Sequence, residues 1–304
     1  MKILHIGLCV QEEPYNGFQQ AFIDVFGKWN YKEINCGDAN LNAKAIKMYD
    51  EFKPNIVFIQ IQAPNIIALD TIKHFKDAKV INWNGDIRHE TPQWMVELAP
   101  YCISAFSNNR DVNYIRSLGY DSEFLEIGYN ELIYTPAGEK KGDSDIVFMA
   151  NNYGNMFPMG LFRQTLVNHL KIVFANNFSI YGSGWGVASG NLNYSQNEEA
   201  CYYRGSKIAI NCSNFDEDNY SSDRLLRILG SGAMCLSLRM KGKELVNGEH
   251  LVYFDSIDDC ILKIKHYLQN EEERKIIAKK GNEYSLKYYT FTNQVENIKK
   301  ICGY

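Results

Sequence analysis

No apolar stretch in this 304-residue chain approaches the roughly 20 residues that cross a bilayer, which excludes a membrane-spanning helix. No signal peptide is expected either. Met1-Lys2-Ile3-Leu4-His5-Ile6-Gly7 runs straight into a strand-like segment, without a longer apolar core or a small-residue cleavage site. A cytoplasmic protein is therefore expected. The sequence has no C-x-x-C pair: Cys9, Cys36, Cys102, Cys201, Cys212, Cys235, Cys260 and Cys302 are scattered, mostly within apolar runs and without metal-ligand spacing. Buried free thiols are expected, and no metal site. A net charge of −4 gives no basic field for a nucleic-acid backbone, although it leaves room for a local basic groove. No internal repeat or low-complexity tract appears. Finally, neither half has a G-x-G-x-x-G turn after its first strand, which removes a nicotinamide dehydrogenase from consideration.

What is present is the composition of an ordinary folded protein, 45% hydrophobic and 22% charged. The length exceeds what one hydrophobic core usually fills, so two domains are expected. Short apolar runs alternate with amphipathic stretches, the pattern of strand-helix-strand units with parallel sheets covered on both faces. In the first part strands are predicted at Lys2–Cys9, Tyr31–Asn35, Ile56–Ile61, Val80–Trp83, Cys102–Ser107 and Glu123–Ile127. Helices fall between them at Phe18–Phe26, Leu41–Phe52, Ala68–Phe75, Gln93–Leu98 and Val112–Leu118. The polar stretch Thr135–Asp145, with proline, glycine and charge but no apolar periodicity, reads as the linker.

Beyond the linker the alternation restarts, with strands at Ile146–Ala150, Phe178–Tyr181, Ile208–Cys212, Ala233–Leu238 and Leu251–Phe254. Helices are predicted at Leu161–Val173, Asp223–Leu229, Ile257–Gln269, Glu271–Tyr284 and Phe291–Cys302, and Tyr202–Tyr203 reads as a turn. The fold class is α/β, two Rossmann-like domains with parallel sheets facing a central cleft, ligands binding outside the carboxyl ends of the strands. The expected boundaries are 1–137, 138–285 and a C-terminal helical segment 286–304.

The most informative segment runs from Ser206 to Leu238. There an apolar strand enters a polar loop, Ser222 can cap a helix opening at Asp223, and Gly230-Ser231-Gly232 closes that helix. Unsatisfied backbone N–H groups and the macrodipole make such a helix start a ready anion site, suited to a diphosphate. Arg224 and Arg227, three residues apart, lie near one helical face, and one or both can reach an anion there. From spacing alone, two arginines on a surface helix are the plainer alternative.

Several motifs in order resemble the C-terminal domain of GT-B glycosyltransferases: Ser222-Asp223-Arg224, Gly230-Ser231-Gly232-Ala233, Gly242-Lys-Glu-Leu, Gly248-Glu-His-Leu-Val-Tyr-Phe254, and Glu271-Glu-Glu-Arg-Lys-Ile-Ile-Ala278 with Gly281. The resemblance covers about residues 203–289 and points to the branch that includes spore-maturation-type proteins. It implies a metal-independent hexosyl- or related transferase that moves a sugar from a nucleotide-diphosphate donor to a hydroxyl acceptor, with the nucleotide-sugar as co-substrate and no further cofactor. It also implies that Ser221, Ser222 and Asp223 cradle the donor diphosphate, with Arg163 assisting, and that the last helix crosses back to the first domain. Where relatives hold the donor ribose through a glutamate, this chain has Arg227, and the acidic partner eight residues earlier falls on Asn219. Both departures bear on ribose recognition and stereochemistry and leave the diphosphate site intact.

Six other residues join the candidates. Asn151 follows the first strand of the second domain, and Gly182, in Tyr181-Gly-Ser-Gly-Trp185, is a turn former or lies below the nucleotide. Asn16-Gly17, after the first strand of the chain, permits close backbone approach near sugar or phosphate, or forms a plain turn. The polar cluster Trp83-Asn-Gly-Asp-Ile-Arg-His-Glu90 supplies Asp86 as the candidate general base of an inverting reaction, with His89 as second choice. The acidic run Asp216-Glu217-Asp218 invites a metal reading, but a two-domain enzyme of this type offsets its leaving group with basic side chains and helix N–H groups. The acceptor is a saccharide, a protein or a modified DNA base. Two alternatives remain: an enzyme acting on hydroxymethylated bases of phage DNA, using Lys28, Lys32, Lys73, Lys76, Arg88 and Arg110, and a non-catalytic ligand-binding protein of the same fold.

Overall fold

The computed structural model describes residues 1–10, 17–186 and 196–304. The chain divides into two compact units, Met1–Ile127 with Phe291–Tyr304, and Gly128–Thr290. Each is built on one wholly parallel sheet.

In the first unit the chain alternates strand and helix: β1 (Ile3–Gly7), α1 (Gly17–Phe26), β2 (Tyr31–Asn35), α2 (Leu41–Phe52), β3 (Ile56–Ile59), α3 (Leu69–His74), β4 (Lys79–Asn84), α4 (Gln93–Leu98), β5 (Ile103–Phe106), α5 (Asn109–Ser117) and β6 (Ser122–Phe124). The sheet order is β2-β1-β3-β4-β5-β6, all pairs parallel. The β3 residues Ile-Val-Phe-Ile are all buried, because helices cover both faces of a parallel sheet and a polar alternate position would have no water to face. Asn108 caps α5, its side chain accepting from the Asp111 N–H.

The second unit repeats the scheme with β7 (Ile146–Met149), α6 (Gly160–Phe174), β8 (Phe178–Tyr181), α7 (Gln196–Gly205), β9 (Ile208–Asn211), α8 (Arg224–Ser231), β10 (Met234–Leu238), β11 (Val252–Phe254), α9 (Ile257–Gln269) and α10 (Glu271–Tyr288). Its sheet order is β11-β10-β9-β7-β8, again wholly parallel. Gly232, at φ 77°, ends α8 in the left-handed conformation that a Cβ disfavours. The boundary read after residue 137 lies inside this unit, where Tyr129 and Tyr134 are buried in one cluster with Leu225, Leu226 and Leu229.

A last helix, α11 (Phe291–Ile301), packs in the first unit: Val295 and Ile298 join the apolar cluster of Phe18, Phe22 and Ile3. Among the described residues no helix is long and apolar enough to cross a membrane. One element departs from the sequence reading: Tyr202 and Tyr203, read as a turn, sit in the last turns of α7, which buries Glu199, Ala200, Cys201 and Tyr203. A buried face that includes a glutamate does not look apolar in sequence, so the helical period is hidden.

Candidate functional site

In the second sheet β7 lies between β8 and β9, so the chain leaves β7 toward one neighbour and the other neighbour's exit turns the opposite way. Such a switch point opens a crevice at the carboxyl ends of the strands, where α/β proteins bind ligands. The loops that border it here are Asn151 onward, after β7, and Cys212 onward, after β9.

Two arginines converge on this point. Arg163, on the first turn of α6, is only 2% exposed. Its Nη1 donates to Asn214 Oδ1 and its Nη2 to the Asn151 carbonyl at 3.2 Å, while its Nε has no partner among the described residues. Arg224, the first residue of α8, donates from Nε to the Met149 carbonyl at 2.6 Å. Its Nη1 reaches the Cys212 carbonyl and Ser222 Oγ, both at 3.2 Å. Among the described residues no carboxylate answers either guanidinium; every acceptor is a carbonyl, amide or hydroxyl oxygen. Burial, and then the positive charge of Arg224, push the Arg163 guanidinium down to about 10. Two cations held close without a counter-ion form a site in want of an anion.

The helix start beside them is open. Ser222 does not cap α8 as the sequence suggests: no side chain caps this helix. Ser222 instead turns its hydroxyl toward Arg224 and gives its N–H to Ser213 Oγ at 2.9 Å. The Ser222 hydroxyl accepts from Arg224 Nη1 at 3.2 Å and from Ser213 Oγ at 3.5 Å and donates to Asn211 Oδ1 at 3.4 Å, so both of its lone pairs are taken and none is left for the first turn. The Ser221 hydroxyl is buried and has no partner among the described residues.

Arg227 is enclosed and does not join this pair. Its Nη1 meets Glu199 Oε2 at 3.0 Å and its Nη2 meets Asp223 Oδ2 at 2.5 Å. Its guanidinium also lies 5.6 Å from the Tyr134 ring centre. Burial lowers its proton affinity, but Asp223 and Glu199 outweigh that and raise it. With both carboxylates in place, the charge of Arg227 is answered within the chain, unlike those of Arg163 and Arg224.

Two further candidates act on loop geometry. The Asn151 carbonyl fixes Arg163, and its side chain accepts from the Ser183 N–H at 2.9 Å. Gly182 adopts φ +137°, and a Cβ there would lie 2.1 Å from the Ala150 carbonyl oxygen. Only glycine lets the β8 exit lie against the β7 exit. Asn211, Ser213 and Asn214, which hold Arg163, Arg224 and Ser222, are not singled out by the sequence reading. Their signal is present all the same, a polar run Asn211-Cys-Ser-Asn214 that begins on the last residue of β9.

In the first unit Asp86 and His89 are both exposed, on the loop after β4. That loop is held from below: Arg110 donates to the Arg88 carbonyl at 2.5 Å and the His89 carbonyl at 3.2 Å, and Arg88 donates to the carbonyls of Gln62 and Asp86. Asn16 lies outside the described residues. Gly17 opens α1, and its close contact is with Phe291, whose ring would sit 1.9 Å from an added Cβ. The small residue is needed for packing on α11. Near the start of the sheet, Gln19 holds both the N–H and the carbonyl of Val10, at 2.8 and 2.9 Å, and donates to Glu33 Oε2 at 2.7 Å. Among the described residues no group of three or more His, Cys, Asp or Glu is placed to hold a metal ion.

Residues 163–300 match the family model described as glycosyl transferase-like, a span that contains Arg163, the α8 start and Arg227. None of the curated proteins matches the chain. Among solved structures, a glycosyltransferase from Rickettsia africae aligns over 99% of this chain and 98% of its own, with a TM-score of 0.68 at 12% identity. An α-glucosyltransferase crystallised with UDP-glucose and DNA containing an abasic site covers 99% of each chain, TM-score 0.72, 10% identity. HepE of Anabaena, solved with UDP and glucose, also covers 99% of each, TM-score 0.63, 8% identity. With its two parallel sheets the chain has the GT-B glycosyltransferase fold over its full described length, and residues 163–300 carry the sequence pattern of the glycosyl transferase-like family.

Proposed function

We propose that this protein is a glycosyltransferase that moves a sugar from a nucleotide-diphosphate donor, of the UDP-linked class its fold relatives bind, to a hydroxyl acceptor. The observation that carries the proposal is the pair Arg163 and Arg224, converging on the β7–β9 switch point with no carboxylate partner among the described residues. Sugar transfer releases a nucleoside diphosphate, and a fixed cationic pair stabilises the charge that develops on it. The guanidinium groups provide that charge in place of a divalent metal, so turnover is expected to persist in excess EDTA. Asp86, exposed on the loop after β4, is the group we assign to take the acceptor proton, with His89 as second choice. The motif order from Ser222 to Gly281 favours the spore-maturation-type branch.

A hydroxymethylated DNA base as acceptor is a second reading, favoured by the fold relative bound to DNA. Against it, Arg88 and Arg110 are engaged with backbone carbonyls and Lys73 pairs with Asp70. Calorimetry with UDP and other nucleoside diphosphates, followed by hydrolysis of UDP-glucose, tests the main proposal. Absence of binding by the folded protein would sink it. Binding without turnover on any acceptor would move the protein to the non-catalytic reading. Failure to retain hydroxymethylated duplex at low salt would remove the DNA reading.

A further inference from the structure

We propose that the edge of the first sheet where its strands begin is a docking surface for an anionic lipid membrane, held by unpaired lysines and anchored by Trp29. That edge lies opposite the loop that carries Asp86 and His89, and its role is independent of the anion site in the second unit.

Strand register brings the residues together. Ile3 pairs with both Tyr31 and Ile56, and Ile56 pairs with Lys79. One row therefore crosses β2, β1, β3 and β4 at the strand starts, with about 4.8 Å between neighbours. The cations sit on this row or within three residues of it: Lys28 and Lys32 on either side of Tyr31, Lys2 before β1, Lys53 before β3, and Lys76 and Lys79 at the start of β4. All six are exposed, and none has a carboxylate partner among the described residues. The end of α11 adds the exposed Lys300, since the charge of Lys79 acts on the nearby Cys302 thiol. Glu51 and Asp70 are taken by Lys47 and Lys73. The remaining carboxylates near this edge, Asp24, Asp50, Asp77 and Asp121, are fewer than the lysines. In a chain of net charge −4, that is a separation of charge with the basic side on one edge.

Trp29 gives the edge a second character. It is 91% exposed, in the short turn Lys28–Asn30 that leads into β2. An indole in water next to unpaired lysines is the combination that suits a membrane surface, the ring entering at head-group depth while the ammonium groups meet lipid phosphates. Farther along the same edge Tyr101 and Tyr120, 42% and 36% exposed, line a depression with Lys79. A nucleic acid would also answer the charge, but two observations favour lipid. The cations are lysines: Arg116, at the end of α5, is paired with Glu123, whereas the arginine fork is the usual ligand of a phosphate backbone. DNA held here would also lie about 20 Å, the length of the six-residue β4, from the Asp86 loop, and so would not be presented as an acceptor.

Flotation of the full chain with vesicles tests the proposal, using phosphatidylcholine alone and phosphatidylcholine mixed with phosphatidylserine. The wild type is expected to float with the mixed vesicles at low salt, to stay unbound with the neutral ones, and to detach at high salt. Lys28→Glu combined with Lys32→Glu should weaken the partition about tenfold or more, and Trp29→Ala should weaken it without removing the salt dependence. The substituted side chains are exposed, so both variants should melt with the wild type. Tryptophan emission should shift to the blue when mixed vesicles are added to the wild type, and Trp29→Phe should lose that shift. No flotation of the folded wild type with mixed vesicles at low salt overturns the proposal, as does an unchanged partition in the lysine variant. Retention of duplex DNA or RNA that mixed vesicles do not displace would assign the edge to nucleic acid and overturn the lipid assignment.

Discussion

Arg163 and Arg224 share one aromatic ring: their guanidinium carbons lie 5.6 and 5.1 Å from the ring centre of Phe148, on β7. Cation–π contact offsets part of the desolvation of two guanidinium groups, yet the like charges remain without a counter-ion among the described residues. Stability alone would not select such a pair, because burying charge without a partner is unfavourable. A bound anion resolves the conflict.

Replacing either arginine by methionine should therefore weaken UDP binding by about tenfold or more, since hydrogen bonds to charged groups are worth roughly 1.5–3 kcal/mol. Affinity for inorganic diphosphate should fall in parallel, because the contact is to phosphate. Calorimetry at constant ionic strength reads both. Wild-type affinity in either variant would show that the diphosphate sits elsewhere.

The Arg227–Glu199 pair predicts a stability effect instead. Arg227→Met leaves the nearly enclosed Glu199 side chain without its cation, and breaking a buried pair on one side costs about 3–5 kcal/mol. The 27% exposure of the Arg227 side chain admits solvent screening and puts this case at or below the low end. Removing both charges together, as Arg227→Met with Glu199→Gln, should cost less than the sum of the single changes. Urea unfolding of the four proteins checks the coupling; strict additivity would mean that the two charges do not interact.

How far local pattern reaches is visible in particular residues. β3 and β7 can be read as buried strands because their apolar runs are unbroken, as a doubly covered parallel sheet demands. The GT-B fold can be read from the same alternation together with the motifs near α8. α7 cannot, because Glu199 occupies its buried face and its partner Arg227 lies 28 positions away. The same distance hides the state of Arg227: spacing places it near Arg224 on the helix, but only the fold brings Glu199 against it. The packing role of Gly17 is hidden for a similar reason, its neighbour Phe291 being at the far end of the chain. Local pattern reports secondary structure, and charge compensation is a tertiary property.

For the chemical step, Asp86→Asn should lower kcat by about 10²–10⁴, the usual worth of general-base catalysis, with little change in UDP affinity. His89→Asn separates the two candidates. If both variants keep wild-type kcat on a productive acceptor, the proton goes to another group.

The last prediction concerns acid stability. His5 lies on β1, fully buried, with Nδ1 3.0 Å from the Tyr31 hydroxyl. Burial, only partly opposed by the hydrogen bond to Gln60, pushes its imidazole down to about 4 from 6.5. The fold thus favours the neutral ring, so His5 contributes its full stability above pH 6.5 and loses it as the pH falls through about 4. A shift of that size corresponds to as much as about 3 kcal/mol. Wild type should therefore lose thermal stability across this window more steeply than His5→Gln. The variant itself should be less stable at neutral pH, because the ring packs against Phe22 and Phe58 with centroids 5.2 and 5.5 Å away. Parallel pH slopes for the two proteins would show that some other group governs acid unfolding.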